Sequence, residues 1–218
     1  MRYAAVVEYR GSEFKGWQSQ PGQRTVQGCV EQALSSVANE PISIVTAGRT
    51  DSGVHATGQI IHFDSSAERS ARAWVLGANT ALPGDVRLSA AQRVSDEFHA
   101  RFKAFRRNYR YIIFNRSVAS AVYRQLVTHE YRNINVPAMQ SAAQCLVGEH
   151  DYSSFRASGC QAHSPVRTVT QLIVQTQGCW IWIDVIANAF LQHMVRNIAG
   201  VLLTIGAGEE PVDWARTV

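Results

Sequence analysis

The order of apolar runs and amphipathic segments in the first half of the chain is the strongest constraint on its fold. The run AAVVEY (4–9) predicts a buried strand. After a polar stretch, Thr25 can cap a helix whose apolar residues recur at helical spacing. Those residues are Val26, Cys29, Val30, Ala33, Leu34 and Val37. Two strands, a short helix and another strand follow, over 42–45, 58–63, 70–79 and 86–94. The resulting order is β-α-β-β-α-β, the split βαβ arrangement.

The second half repeats most of this order. Its elements are a strand, a helix that starts near Asn135, two strands and a helix, with the strands and last helix over 108–115, 168–176, 179–187 and 189–203. We therefore predict an α+β fold of duplicated ferredoxin-like (βαββαβ) halves, over 1–97 and 98–218. The halves are expected to form a mixed, mainly antiparallel central sheet, with helices packed on it and a basic cleft between them. The last strand of the second half is expected to be missing from the chain.

Composition restricts the class of protein further. The chain has 218 residues, of which 46% are hydrophobic, which is enough for one sizeable core or two small ones. No apolar run approaches the roughly 20 residues that span a bilayer, and the N-terminus lacks a signal-peptide core. The four cysteines stand far apart, without metal-ligand spacing. We expect a soluble, cytoplasmic protein with no structural metal, no disulfide framework and no membrane partner.

The basic residues are almost all arginine, and many of them cluster. Only Lys15 and Lys103 are lysines among the 21 basic residues, and the net charge is +4. Arginine grips phosphate and stacks on bases, although a GC-rich genome produces the same bias. The segment 97–116 carries six basic residues interleaved with six aromatic rings, against the single acid Glu97. This pattern suits looped RNA, and an edge strand with a basic face and buried aromatics is the structural alternative.

The loop AGRTDSGVHA (47–56) contains the most suggestive carboxylate, Asp51. It follows one predicted strand and precedes another, where reactive groups are commonly presented. Asp-Ser-Gly is also ordinary turn chemistry, so the spacing alone leaves both interpretations open. A metal-dependent nuclease using Asp51, His55 and Asp64 is a third interpretation, but this spacing matches no metal template, even with His62 included.

Several blocks, spread over nearly the whole chain, resemble the tRNA pseudouridine synthase A family. They are GSEFKGWQSQP (11–21), AGRTDSGVHATGQIIHF (47–63), FHARFKAFRRNYRYIIFN (98–115), AQCLVGEHDYSSFR (143–156) and ANAFLQHMVRNIAG (187–200). The resemblance implies an isomerase that converts uridine to pseudouridine at positions 38–40 of the tRNA anticodon stem-loop, as a cytoplasmic homodimer without a cofactor. Family members continue through a final strand that this chain does not reach.

The resemblance also implies roles for individual residues. Asp51 is the catalytic nucleophile and Arg196 its cationic partner. Tyr109 stacks on the target base and can remove its C5 proton, and Arg49 fills the space that the flipped nucleotide leaves. The implied RNA contacts are Arg69, Phe98, His99, Ala100, Arg101 and Phe102, and in a separate loop Cys160, Gln161 and His163. The alternative function is a non-catalytic structured-RNA-binding protein or RNA chaperone on the same fold.

Overall fold

The computed structural model describes residues 1–218, which divide into two compact units, Met1–Ala104 and Phe105–Val218. The first unit contains β1 (Arg2–Tyr9), α1 (Val26–Ala38), β2 (Ile44–Thr46), β3 (Ala56–Asp64), α2 (Ala71–Ala81) and β4 (Val86–Val94). The second contains β5 (Arg107–Asn115), β6 (Thr128–Glu130), α3 (Val136–Gln144), β7 (Gly148–Asp151), β8 (Val166–Gln177), β9 (Trp180–Ala187) and α4 (Met194–Gly206). None of these helices has the length and apolar character that crossing a bilayer requires.

The first unit has the predicted β-α-β-β-α-β order. Its strands form a four-stranded sheet in the order β2-β3-β1-β4, with every neighbouring pair antiparallel. The helix α1 begins directly after its predicted cap, because Thr25 accepts a hydrogen bond from the Gly28 N–H, and α2 is capped by Ser70, which accepts one from the Ala73 N–H. Leu34, on the apolar stripe of α1, and Trp74 of α2 are fully buried in the core of this unit.

The second unit has a five-stranded mixed sheet in the order β6-β5-β9-β8-β7. Its three long strands, β5, β9 and β8, pair antiparallel. The three-residue strand β6 lies beside β5 and runs parallel to it. The core includes Met139 of α3, Ile183 of β9 and Leu202 of α4, each nearly inaccessible to solvent.

The α+β class is confirmed, and the finer fold prediction needs correction. The strands are hydrogen-bonded in two sheets instead of one central sheet, and the second unit contains two short strands, β6 and β7, that the sequence pattern did not indicate. An exact duplication of βαββαβ is therefore not confirmed. In the division into compact units, residues 98–104 group with the first unit.

Candidate active site

The segment 47–55 is a loop that connects two antiparallel strands, β2 and β3. The Ala47 N–H donates to the Ile60 carbonyl at 2.8 Å, which closes the base of the loop. At the tip, the Asp51 carbonyl accepts a hydrogen bond from the Val54 N–H at 3.2 Å, across a turn in which Gly53 has φ +81°. This positive φ is one that glycine adopts without strain, so Gly53 allows the turn that begins at Asp51.

Three hydrogen bonds tie the loop to the segment GSEFKGW (11–17), which we call the clamp segment. The Gly11 N–H donates to His55 Nδ1 at 3.0 Å, and the Trp17 N–H donates to the Thr50 carbonyl at 3.0 Å. Ser52 Oγ donates to the Phe14 carbonyl at 3.0 Å. These bonds reach the loop on both sides of Asp51, so the backbone that carries this carboxylate is held from two directions.

The clamp segment lies so close to the loop that two of its positions exclude a side chain. A Cβ atom on Gly11 would lie 1.9 Å from the Val54 carbonyl oxygen. A Cβ atom on Gly16 would lie 2.9 Å from the Thr50 carbonyl oxygen, and Gly16 also has φ +86°. Glycine is therefore required at both positions, because the backbone of the clamp segment packs directly against the backbone of the loop.

The loop rests on buried aromatic side chains and further polar contacts. Phe14 and Trp17 are each 1% exposed, and the Trp17 ring packs on the Tyr9 ring at a centroid distance of 5.7 Å. The hydroxyl of Tyr9 pairs with Thr50 Oγ1 at 2.7 Å. Asp51 is half-buried on this rigid base, and Arg49 is exposed. A half-buried carboxylate on a fixed backbone can serve as a nucleophile, because its approach to a substrate is preorganised.

In the second unit, the structure distinguishes the two tyrosines of NYRYII. Tyr109 lies on β5 opposite Val185 of β9, and its ring meets Phe190 edge-to-face at 5.0 Å. Tyr111 is paired through its hydroxyl, which accepts a hydrogen bond from Thr128 Oγ1 at 2.7 Å. Both rings are half-buried on the core side of the sheet. Sequence spacing could not show which of the two tyrosines is the better candidate site residue. The hydrogen bond from Thr128 shows that the Tyr111 hydroxyl takes part in a contact within the fold.

Arg196 is exposed in the first turn of α4. The residue before this helix, His193, has left-handed backbone angles (φ 62°, ψ 2°), which are uncommon for a residue other than glycine. No acidic side chain occupies the first turn, so the positive end of the helix dipole and the Arg196 guanidinium reinforce each other. The helix begins at Met194 and not at 189 as predicted, because the chain reaches it through this left-handed residue.

The loop segment 98–104, which we call the basic loop because it contains Arg101 and Lys103 and no acidic residue, carries five of the predicted RNA contacts. Phe102 is 77% exposed, and the Arg101 guanidinium lies 5.8 Å from the centre of its ring. Ala100, in contrast, is 4% exposed, and its N–H donates to His62 Nδ1 at 3.1 Å. Phe98 and His99 are half-buried around that anchor. The predicted contacts therefore divide into an exposed pair, Arg101 and Phe102, and residues that fix the shape of the loop.

The other predicted RNA contacts lie in separate places. Arg69 is exposed next to the cap of α2. Gln161 and His163 are exposed in the loop before β8, where Cys160 is half-buried. Hydrogen bonds from the backbone at Ala162 and Gln192 lower the pKa of the Cys160 thiol below its ordinary value.

Metal-ligating side chains do not gather in the chain: there is no group of three or more His, Cys, Asp or Glu that could hold an ion. His55, one of the residues in the nuclease interpretation, uses its Nδ1 atom to accept the Gly11 N–H. The sequence assigned no role to Tyr9 or to Gly11 and Gly16 of the clamp segment, although the two glycines of GSEFKGW were a signal of close backbone approach.

Comparison with known proteins assigns the chain to a class. The family model of tRNA pseudouridine synthases matches residues 5–103 and 142–218, which include Asp51 and Arg196 and leave Tyr109 between the matched ranges. The tRNA pseudouridine synthase A of Nitrosococcus oceani is 56% identical over all 218 residues, which cover 84% of that protein. The protein of the same name from Alcanivorax borkumensis is 52% identical over the whole chain, which covers 82% of it.

A third relative, the tRNA pseudouridine synthase A of Coxiella burnetii, is 50% identical over 217 residues, which cover 83% of its length. Identity of this extent along the whole chain spans both units. The chain belongs to the tRNA pseudouridine synthase A family.

Proposed function

We propose that this protein converts uridine to pseudouridine in tRNA, with Asp51 as the reacting carboxylate. The observation that carries this proposal is the clamped loop, in which hydrogen bonds from the clamp segment hold the backbone on both sides of Asp51. The loop lies within the residues that the family model matches. Isomerisation breaks the N1–C1′ bond of uridine and joins the same ring through C5, so the C5 proton is released to water. Neither an oxidant nor an energy source is needed.

The reaction requires a carboxylate that is ionised and aimed at the nucleoside. Attack by Asp51 at C6 of the ring or at C1′ of the sugar, or removal of a sugar proton, would each start the exchange. We propose, from the family resemblance, that Arg196 is the cation that favours the ionised form of Asp51. The absence of an acidic side chain near Arg196 in the first turn of α4 supports a role in binding negative charge.

We further propose that Tyr109 stacks on the target base and removes its C5 proton. A phenol offers a π face for stacking and an oxygen for proton transfer. The edge-to-face contact with Phe190 supports this role, because it fixes the ring plane of Tyr109. The target uridine must leave its stem-loop to react, and Arg49, exposed beside Asp51, is proposed to fill the vacated space.

The finer features of the substrate and assembly are proposals from the same resemblance. The target is the anticodon stem-loop of tRNA at positions 38–40, and the enzyme works in the cytoplasm as a homodimer. Arg69, Arg101, Phe102, Gln161 and His163 would contact the RNA, and all five are exposed. The shared order of the three strands β2-β3-β1 and β8-β9-β5 supports an origin of the two units by duplication of a ferredoxin-like element.

A tritium-release assay tests the proposal, because isomerisation frees the hydrogen on C5. The protein is incubated with tRNA labelled with tritium at C5 of uridine, and Asp51→Ala is compared with the native chain. Asp213→Asn is the control, since it removes an exposed carboxylate to which no role is assigned. We expect release by the native protein and by Asp213→Asn, and none by Asp51→Ala. Equal release by Asp51→Ala would reject Asp51 as the reacting group, and tRNA binding without release by any variant would favour a non-catalytic RNA-binding protein.

A further inference from the structure

The basic loop is anchored by a buried histidine to which the proposed reaction assigns no role. His62, on β3, is 4% exposed and accepts a hydrogen bond from the N–H of Ala100, which is equally buried. The His62 ring also meets the rings of Phe98 and His99, at centroid distances of 6.1 and 4.8 Å. Three consecutive residues of the loop, 98–100, therefore depend on one imidazole for their position.

The imidazole of His99 also accepts a backbone hydrogen bond within the basic loop. His99 Nδ1 accepts the Phe102 N–H at 3.1 Å, and the two rings stack at 4.3 Å with an interplanar angle of 24°. The contacts thus form a chain that runs from the buried His62 through His99 to Phe102. Phe102 is the exposed aromatic ring that we propose to meet RNA, so the orientation of that ring depends on His62.

The start of the loop is held by a cation that faces His62. The Arg2 guanidinium donates to the carbonyls of Asp96 and Phe98 at 2.6 and 2.9 Å, and it forms a salt bridge with Asp64 at 2.8 Å. Arg2, His99 and Asp64 are the charged or titratable groups that act on His62. Burial, Arg2 and His99 lower the pKa of His62, and Asp64 opposes them.

An imidazole nitrogen accepts a hydrogen bond only while it carries no proton. If Nδ1 of His62 gained a proton, the Ala100 N–H would be left buried without an acceptor, and the new charge would face the Arg2 guanidinium. Both effects oppose the observed shape of the basic loop, and burial of an unsatisfied N–H is itself costly. The loop conformation and the neutral form of His62 are therefore linked.

We propose that His62 is a positioning residue for tRNA binding, and that it holds the basic loop in its binding shape only while its imidazole is neutral. The inference rests on the proposed function, because it assumes that Arg101 and Phe102 meet tRNA. A histidine whose pKa is lowered in the folded protein contributes stability that is fully present above the ordinary histidine value of about 6.5, and this contribution is lost as the pH falls from that value through the lowered pKa. The affinity for tRNA consequently decreases in acid.

Simple electrostatics predicts the opposite trend. Positive charge gained by a protein in acid strengthens its binding to a polyanion. A loss of tRNA affinity in acid therefore indicates that protonation of His62 changes the shape of the basic loop. The direction of the pH dependence separates the two effects.

The test compares the binding of a fluorescent anticodon stem-loop RNA at pH 7.5 and pH 5.5 at constant ionic strength. For the native protein we expect weaker binding at the lower pH, by less than about tenfold, because the lowered pKa keeps part of the His62 population neutral at pH 5.5. In His62→Asn, the side-chain oxygen can take the place of Nδ1 without titrating. We expect this variant to retain most of the neutral-pH affinity and to lose the acid weakening. His62→Leu, which cannot accept the Ala100 N–H, should bind several-fold more weakly at both pH values.

His150→Asn is the matched control, because it removes an exposed histidine and should keep the pH profile of the native protein. Initial rates over a range of tRNA concentrations at pH 7.5 are measured in parallel, and we expect His62→Leu to raise KM far more than it lowers kcat and His62→Asn to change both little. An acid weakening that persists unchanged in His62→Asn, or an affinity of His62→Leu equal to that of the native protein, would overturn the inference. A native protein that binds no tRNA at either pH would instead refute the proposed function.

Discussion

Gly11 and Gly16 show how a single missing Cβ atom determines the form of the candidate site. Each faces a backbone carbonyl oxygen of the loop that carries Asp51, at a distance that only glycine allows. A backbone oxygen cannot rotate away as the end of a flexible side chain can. The loop itself has to move if either glycine is replaced, and the carboxylate of Asp51 moves with it.

We therefore expect Gly11→Ala to reduce the single-turnover rate at least tenfold, because small displacements of a reacting group are costly. The added Cβ atom would lie 1.9 Å from the Val54 oxygen, and overpacking of this kind lowers the free energy of unfolding by about 1–3 kcal/mol. Gly84→Ala is the control, since nothing lies within 4 Å of its Cβ position. Rapid-quench kinetics and urea unfolding measure the two quantities. A Gly11→Ala variant with native kinetics would show that the clamp segment does not position Asp51.

At the residue scale, a motif singled out Asp51 as the candidate nucleophile, whereas the surroundings of the other candidate residues became visible only in the tertiary structure. The sequence could not separate Tyr109 from Tyr111, because both point to the same side of a strand. It also grouped Ala100 with Arg101 and Phe102 as RNA contacts, although Ala100 is buried and donates to His62. Contacts between residues distant in sequence leave no periodic signal, so His62 had no visible role before its partner was known.

At the scale of elements, α4 contains two glycines in opposite surroundings. Gly200 is exposed in the middle of the helix, with nothing within 4 Å of a Cβ atom. Gly206 is buried at the end of the helix, where a Cβ atom would lie 2.7 Å from Met139 Cγ and 3.0 Å from Ile134 Cγ2. The same substitution should therefore have opposite effects on stability at the two positions.

We expect Gly200→Ala to raise the free energy of unfolding by about 0.5–1 kcal/mol, because alanine restricts the unfolded chain and favours helix. Gly206→Ala should lower it by about 1–2 kcal/mol through crowding of the buried Met139. Urea denaturation of the two variants and the native chain measures both changes. Shifts of the same sign would contradict the packing of α4 against α3.

The elements that the sequence predicted well are those with a long periodic pattern or a polar cap. The strand predicted over 86–94 is observed as Val86–Val94, and α1 begins directly after its Thr25 cap. The short strands β6 and β7 were missed, since THE and GEHD are polar and too short to show alternation. The start of α4 was predicted too early because the apolar residues before Met194 continue the helical spacing without adopting helical angles.

At the scale of the whole molecule, the net charge of +4 is small, so RNA binding depends on where the cations are placed. The exposed side chains of the basic loop combine the two contributions that RNA binding needs. Arg101 can neutralise phosphate, and Phe102 can stack on a base. These contributions differ in their response to salt, which allows them to be measured separately.

We expect Arg101→Ala to reduce the slope of log affinity against log salt concentration by about 0.7–0.9, the value for one lost phosphate contact. Phe102→Ala should weaken binding by about 1–3 kcal/mol at every salt concentration and leave the slope unchanged. Arg216→Ala, an exposed arginine to which no RNA role is assigned, serves as the control. The slopes are measured by fluorescence titration with an anticodon stem-loop RNA at salt concentrations from about 50 to 200 mM, a range of about fourfold in ionic strength. Equal slopes for Arg101→Ala and the native protein would rule out a phosphate contact by Arg101.

Mapping pseudouridine in an unmodified tRNA transcript after incubation with the protein tests whether Asp51 is the reacting group. Asp51→Asn is compared with the native chain, because asparagine keeps the shape of the carboxylate and removes its charge. We expect the native protein to form pseudouridine within positions 38–40 and Asp51→Asn to form none while it binds the transcript with similar affinity. Pseudouridine formed equally by Asp51→Asn, or formed by neither protein, would contradict the assignment of Asp51 as the reacting group of a tRNA pseudouridine synthase.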